Sequence, residues 1–156
     1  MEEDLIFQMG KFRAKIPKNL HYTKDHLWIL LGNPSTVGIT SYKQRFFMDV
    51  EDISFSVEVG DNIEPGEQIA QIEGVKAVAE VVAAFKGKVK QINEELDLDP
   101  TLINASTYEY GWLLKMEGLQ GDLMSSKEYL EFVQRDWEKA VEDIMKDRGG
   151  GKILPA

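Results

Sequence analysis

The chain has 156 residues, of which 43% are hydrophobic and 10% aromatic, and it carries 18 basic and 27 acidic residues. These values are typical of one globular domain, and the formal net charge of −9 disfavours binding to nucleic acid or to anionic membranes. The sequence contains no cysteine, which excludes disulfides, thiolate nucleophiles and cysteine-ligated metals. Any redox chemistry must therefore come from an attached group.

The first residues argue against export. They read MEED, whereas a secretory signal begins with basic residues and continues into an apolar core. No apolar run approaches the roughly 20 residues that a membrane helix requires. We therefore expect a soluble, cytoplasmic protein that binds neither membranes nor nucleic acid.

Short apolar runs between turn formers predict a series of β-strands over residues 21–60. The runs HLWILL, TVGIT and ISFSVEV alternate with Gly, Pro, Asn and Asp, which is the pattern of short strands and turns. Residues 41–50, SYKQRFFMDV, interrupt this pattern with polar residues. This segment predicts a short helix or turn that lies across the strands.

Two strand-turn-strand halves flank Lys76. The first half, VEVGDNIEPGEQIAQI, contains Gly-Asp and Pro-Gly turns, and the second, VAEVVAAFKGKVKQIN, contains a Lys-Gly turn. This pseudo-symmetry predicts a flattened barrel of two facing sheets, with Lys76 at the hairpin that joins the halves. Residues 109–118, EYGWLLKMEG, predict a closing strand.

The C-terminal segment predicts an amphipathic helix. Ser125 and Glu128 form a capping-box pattern, and three glycines at 149–151 mark the end of the helical pattern. Apolar residues recur at helical spacing at Leu130, Val133, Trp137, Val141 and Ile144. We predict that this stripe packs on the barrel, and a groove on a partner protein is the alternative.

The neighbours of Lys76 favour chemistry at its amine. Gly74, Val75, Ala77 and Ala79 are small or apolar, so they leave the side chain at the tip uncrowded. A primary amine on a rigid exposed turn can form an amide, and an arm attached there can move between active sites at raised effective concentration. A solvated lysine with no further role is the alternative that the hairpin alone leaves open.

The sequence resembles glycine cleavage H-proteins over residues 21–118. The motifs HYTKDHLW, VGIT, VEVGDNIEPGE, EGVKAVAE, GKVKQIN and YEYGWLLK occur in the family's order and spacing. The resemblance implies a mainly β, barrel-sandwich hybrid fold and covalent attachment of lipoate to Lys76. It also implies a non-catalytic carrier whose cofactor supplies the redox and transfer chemistry. Biotin carriers share the barrel but flank their lysine with methionine, whereas Val75 and Ala77 stand here.

The patterns and the resemblance together divide the chain into four parts. These are an N-terminal extension at 1–20, the lipoyl-carrier domain at 21–118, the C-terminal helix packed on it at 119–148 and a flexible tail at 149–156. The partners that the resemblance implies are glycine decarboxylase, aminomethyltransferase, dihydrolipoamide dehydrogenase and the enzymes that attach lipoate. We expect the chain to be a monomer.

Three positions depart from the family pattern near the arm. Leu27 replaces the Glu of His-Glu-Trp, Gly74 replaces the Ser before Val-Lys, and Phe46 stands where a polar residue often faces the arm. In the family, a cleft with polar and acidic side chains shelters the cationic aminomethyl group, and Glu80 remains available to meet it here. These four residues are the predicted lining of an arm-facing cleft. Leu27 removes one charge-assisted contact from it.

Three functions stay open on this evidence. The first is the glycine cleavage H-protein, which shuttles an aminomethyl group and then electrons. The second is an H-like lipoate-binding protein that carries sulfur intermediates in heterodisulfide-reductase-like sulfur oxidation. The third is an unmodified binding module or a relay of lipoyl groups.

No other segment predicts a site. His21 and His26 lack convergent ligands, so we predict no metal centre and expect both on the surface or on an edge strand. The acidic run at 94–99 lacks the spacing of a calcium loop and is expected to be a solvated turn. Trp28 and Trp112 are expected in the core or in the walls of a groove.

Overall fold

A computed structural model of the chain describes residues 4–146. Over this range the backbone forms eleven strands and four helices. The strands are β1 (Leu5–Met9), β2 (Phe12–Ile16), β3 (His21–Tyr22), β4 (Leu27–Leu30), β5 (Ser35–Ile39), β6 (Val50–Phe55), β7 (Asn62–Ile63), β8 (Gln68–Gly74), β9 (Val78–Val82), β10 (Phe85–Ile92) and β11 (Leu114–Gly121). The helices are α1 (Ser41–Phe47), α2 (Glu95–Leu98), α3 (Leu102–Ala105) and α4 (Ser126–Lys146).

The strands form two larger sheets and one hairpin. The larger sheet has the order β3-β4-β5-β11-β10-β7, the smaller has the order β6-β8-β9, and β1 pairs only with β2. All of these pairings are antiparallel. The chain therefore has the mainly β fold with a C-terminal helix that the sequence predicts.

One hydrophobic cluster lies between the two larger sheets, and we call it the inter-sheet core. It combines buried residues from both sheets: Ile53, Ile69 and Ile72 from the smaller sheet, and Val37, Val89 and Met116 from the larger. Strand β8 shows the basis of this arrangement, because Ala70 and Ile72 are buried while Gln71 and Glu73 are exposed. Alternation along the strand thus gives the sheet one apolar face.

A second hydrophobic cluster, the outer cluster, lies under helix α4. Its buried residues come from the β1–β2 hairpin, the β2–β3 connection, the larger sheet, α1 and α4: Phe7, Met9, Ala14, Ile16, Leu20, Tyr22, Trp28, Tyr42, Tyr129 and Val133. The sequence of the N-terminal extension predicts no regular structure, but residues 5–16 form a regular hairpin in which Leu5 pairs with Ile16. The hairpin and α4 therefore bury their apolar faces against each other and against the larger sheet.

The predicted C-terminal helix is confirmed, and its start follows the predicted capping box. The Ser125 N–H donates to Glu128 Oε1 at 2.9 Å, and the Glu128 N–H donates to Ser125 Oγ at 3.2 Å. The helix buries Tyr129 and Val133 fully, and Trp137 packs partly against the outer cluster. The glycines at 149–151 that the sequence assigned to its end lie outside the described residues. No helix within residues 4–146 combines the length and apolar character needed to cross a membrane.

Candidate functional site

Lys76 lies at the tip of the hairpin that joins β8 to β9, as the sequence predicts. The turn closes through a hydrogen bond from the Gly74 N–H to the Ala77 carbonyl at 2.9 Å. Val75, Lys76 and Ala77 are all exposed, and Val75 is 61% exposed. Among residues 4–146, no hydrogen bond or ion pair engages the Lys76 amine. The amine is therefore accessible to solvent and to other molecules.

The backbone of the tip is held from outside the hairpin. The Val75 N–H donates to the Asp49 carbonyl at 3.0 Å, and the Lys76 N–H donates to the Phe47 carbonyl at 3.2 Å. Phe47 and Asp49 belong to the end of α1 and the segment that leads into β6. Because two consecutive amides of the turn are bonded to this segment, the tip has a fixed conformation while the lysine side chain stays exposed. These contacts use backbone atoms, so no residue type in the sequence could indicate them.

Gly74 permits this close approach. A Cβ atom placed on Gly74 would overlap the carbonyl oxygen of Phe47. The residue immediately before the Val-Lys pair must therefore lack a side chain for α1 to end where it does. The departure from serine that the sequence shows at this position has a packing reason, and Gly74 contributes backbone and not a side chain to the site.

Leu27 does not line an open cleft in this structure. Its side chain is 1% exposed and belongs to the inter-sheet core, and in the β4–β5 ladder Leu27 pairs with Ile39. The predicted cleft lining placed Leu27 near solvent because the family pattern has a carboxylate there, but an apolar side chain at this point of β4 is drawn into the core. A cationic group on an arm could not reach a polar partner at this position.

The other two predicted cleft residues lie apart. Phe46 packs in the outer cluster, with ring centroids 5.3 Å from Tyr42 and 6.1 Å from Trp137. Glu80 is exposed on β9, where it pairs with Gln71. Since Leu27 lies in one hydrophobic cluster and Phe46 in the other, the structure does not gather the four predicted residues around one cleft.

His26 is buried, and the predicted surface or edge-strand position is wrong for this residue. It is 8% exposed, and its Nδ1 lies 2.9 Å from the Tyr129 hydroxyl while its Nε2 lies 3.7 Å from Asp136 Oδ2. Burial lowers the pKa of His26 to about 4, against a smaller opposing effect of Asp136. The imidazole is therefore neutral near pH 7 and joins the β3–β4 turn to helix α4. Within residues 4–146 no group of three or more potential ligands could hold a metal ion.

The comparisons with known proteins identify one family. The family model described as "Glycine cleavage H-protein" matches residues 20–136. The glycine cleavage system H protein of Thermotoga maritima is 41% identical over 120 residues, which cover 74% of this chain and 96% of that protein. The protein of the same name from Staphylococcus saprophyticus is 37% identical over 123 residues, covering 76% of this chain and 97% of that protein.

A solved structure agrees with the sequence relatives. The crystal structure of a glycine cleavage system H protein from Mycobacterium marinum matches with a TM-score of 0.68 at 28% identity, covering 78% of this chain and 98% of that one. The described β1–β2 hairpin lies before the family match begins at residue 20. The chain therefore belongs to the glycine cleavage H-protein family and, as a member of it, is a carrier subunit and not an enzyme.

Proposed function

We propose that the chain carries lipoate as an amide on Lys76 and shuttles an aminomethyl group and reducing equivalents between the enzymes of glycine decarboxylation. The observation that carries this proposal is an exposed amine, without a hydrogen-bond or ion-pair partner in residues 4–146, on a turn whose backbone is fixed by Phe47 and Asp49. Membership of the H-protein family supports the same role. The proposed partners are glycine decarboxylase, aminomethyltransferase, dihydrolipoamide dehydrogenase and a lipoylating enzyme, all in the cytoplasm.

The residues at the tip fit the attachment chemistry. The Nζ lone pair of Lys76 attacks the carbonyl carbon of an activated lipoyl donor such as an acyl adenylate, the C–N bond forms, and the C–O bond to the leaving group breaks with release of AMP and a proton. Once attached, the lipoyl group supplies a dithiolane for redox and group transfer. The protein supplies the attachment atom, a fixed turn and small neighbours such as Ala77 that do not crowd the arm.

The attachment site can be tested by mass spectrometry. Protein coexpressed with a compatible lipoylation system should gain the mass of one lipoyl group, and Lys76→Arg should abolish the gain. Lys86→Arg and Lys88→Arg are matched controls, because both lysines are exposed on β10, the next strand in the chain, and should leave the gain intact. The melting temperature of Lys76→Arg should equal that of the wild type, since an exposed tip lysine adds little to stability. Modification of the Lys76→Arg protein would refute the assignment.

A second candidate function is supported by Leu27. Because this side chain is buried in the inter-sheet core, it offers no acceptor to a cationic cargo. A lipoyl arm that carries sulfur intermediates, as in heterodisulfide-reductase-like sulfur oxidation, has no such requirement. Incubation of the lipoylated protein with glycine and glycine decarboxylase separates the two candidates. The glycine role requires release of carbon dioxide with loading of the arm, and the sulfur role predicts neither.

A further inference from the structure

The segment of residues 47–50, which we call the clamp segment, contacts the lysine-bearing tip along one side. The carbonyls of Phe47 and Asp49 accept the two tip hydrogen bonds, from Lys76 and Val75 respectively. Val50 then pairs with Gly74 in the β6–β8 ladder. The conformation of the tip therefore depends on where the clamp segment lies.

Asn104 binds the opposite side of the clamp segment. Its Oδ1 accepts from the Val50 N–H at 2.8 Å, and its Nδ2 donates to the Met48 carbonyl at 3.0 Å and to Gln44 Oε1 at 3.3 Å. The Phe47 and Asp49 carbonyls bond to the tip, whereas the Met48 carbonyl and the Val50 N–H bond to Asn104, so the tip and Asn104 engage different backbone groups of the clamp segment. The side-chain amide of Asn104 thus supplies the clamp segment with one acceptor and one donor, and its nitrogen also donates to Gln44.

The backbone of the clamp segment requires support of this kind. Met48 has a φ of 65°, in the left-handed region that residues with a side chain rarely adopt. A conformation of this type persists only when its surroundings hold it. The Met48 carbonyl bonds to Asn104, and its N–H donates to the Gln44 carbonyl at 2.7 Å at the end of α1.

We propose that Asn104 is a positioning residue that holds the clamp segment and, through it, fixes the tip in the conformation that the lipoylating enzyme accepts. Asn104 lies on α3, and its own side chain touches the clamp segment and Gln44 and not Lys76. If the tip adopts the conformation that the enzyme accepts for only part of the time, the apparent affinity of the enzyme for the carrier falls in proportion to that fraction. The inference rests on the proposed attachment of lipoate to Lys76.

Amide hydrogen exchange tests the clamp without any modification. In Asn104→Ala, the Val75 and Lys76 amides should exchange about tenfold faster or more, because their acceptors are no longer fixed. The Gly66 amide, which donates to Ala83 at the far end of β8, should keep its wild-type rate. Unchanged exchange at both tip amides would overturn the inference.

Asn93→Ala is the matched control. Asn93 also bridges backbone groups, since its Nδ2 donates to Tyr110 and Trp112 carbonyls at 2.9 and 2.8 Å and its Oδ1 accepts from the Glu95 N–H at 3.2 Å. None of these contacts involves the clamp segment. Its loss should lower stability without changing exchange at Val75 and Lys76, and equal acceleration in both variants would show only general loosening, against the proposal.

The kinetics of modification supply the second readout. With a lipoate ligase, ATP and lipoate, Asn104→Ala should raise the KM for the carrier about threefold or more and leave kcat unchanged, because only the competent fraction changes. If Asn104→Ala does not fold, Asn104→Ser takes its place in both assays. Faster exchange with unchanged KM would overturn the role in modification. A wild-type protein that the ligase does not modify would contradict the proposed function instead, and the exchange experiment would still decide on the clamp.

Discussion

Leu27 shows how one buried side chain changes the surroundings of the proposed arm. It is 1% exposed, in a cluster that also contains Phe47 and Ile72. Burial of a leucine side chain contributes about 1.5 to 3 kcal/mol relative to exposure. The position therefore serves the inter-sheet core, and the hydrophobic gain explains why it does not present a group to the arm.

The first stability prediction concerns a carboxylate at this position. Leu27→Glu should lower the free energy of unfolding by about 3 kcal/mol or more, because it places an unpaired carboxylate in an apolar core. Leu27→Met, which keeps the volume and apolar character, should cost less than about 1.5 kcal/mol. Urea denaturation at pH 7 measures both variants. A Leu27→Glu protein as stable as wild type would mean that the position opens to solvent and lines a cleft after all.

Residue environments were predictable from the sequence only where they depend on near neighbours. The exposure of Lys76 follows from a turn between two strand patterns, and the structure agrees. The burial of His26 depends on Tyr129, which lies 103 positions later in the chain, and no local pattern indicates that contact. The position of Phe46 depends in the same way on Trp137 of helix α4.

At the scale of elements, the β1–β2 hairpin is the main structure that was not predicted from the sequence. Its sequence does alternate, since Phe7 and Met9 on β1 and Ala14 and Ile16 on β2 are buried, whereas the other residues of the two strands are not. A two-stranded hairpin is only marginally stable alone, so this hairpin depends on its packing against α4 for stability. The sheets and α4 were predictable because long alternation and a complete capping box are local signals.

The capping box gives a prediction at this scale. Ser125→Ala should destabilise the protein by about 1 kcal/mol, because it leaves the Glu128 N–H at the start of α4 without its side-chain acceptor. Hydrogen bonds from Ser125 also lower the pKa of the Glu128 carboxyl, with the backbone N–H as the larger cause. Urea denaturation measures the loss of stability.

Ser126→Ala is the control for the capping box, since among the described residues the Ser126 hydroxyl makes no hydrogen bond. It should change the free energy of unfolding by much less than Ser125→Ala. Equal effects of the two substitutions would indicate that general packing at the helix start, and not the cap, determines the stability there.

For the whole molecule, a polar network connects the outer cluster to α1 and the β3–β4 turn. The Tyr129 hydroxyl lies 2.9 Å from His26 Nδ1 and 2.8 Å from Thr40 Oγ1, and the Tyr42 hydroxyl donates to Asp136 Oδ2 at 2.6 Å. Thr40 is the N-cap of α1, whose other end meets the lysine-bearing tip. Helix α4 is thus connected through α1 to the hairpin that bears Lys76.

The neutral state of His26 makes this assembly sensitive to acid. Its pKa is lowered from 6.5 to about 4 in the folded protein, so between these values the unfolded chain binds a proton that the folded chain does not. The contribution of neutral His26 to the free energy of unfolding is complete above pH 6.5 and is lost as the pH falls towards 4. At about 1.4 kcal/mol per pKa unit, the loss approaches about 3 kcal/mol. Burial is the main cause of the lowered pKa of His26. The nearby charge of Asp136 raises this pKa, and that of Lys43 lowers it further.

The test compares the free energy of unfolding of wild type and His26→Asn in urea at intervals between pH 7 and pH 4. Asparagine tolerates the φ of 67° at this position and does not titrate, so the variant should lose less stability than wild type over this range, even if it is less stable at pH 7. Carboxylates elsewhere titrate in both proteins, and the difference between the two curves isolates the imidazole. Parallel curves for wild type and His26→Asn would mean that folding does not change the pKa of His26. Burial of this residue would then not be the source of the acid sensitivity.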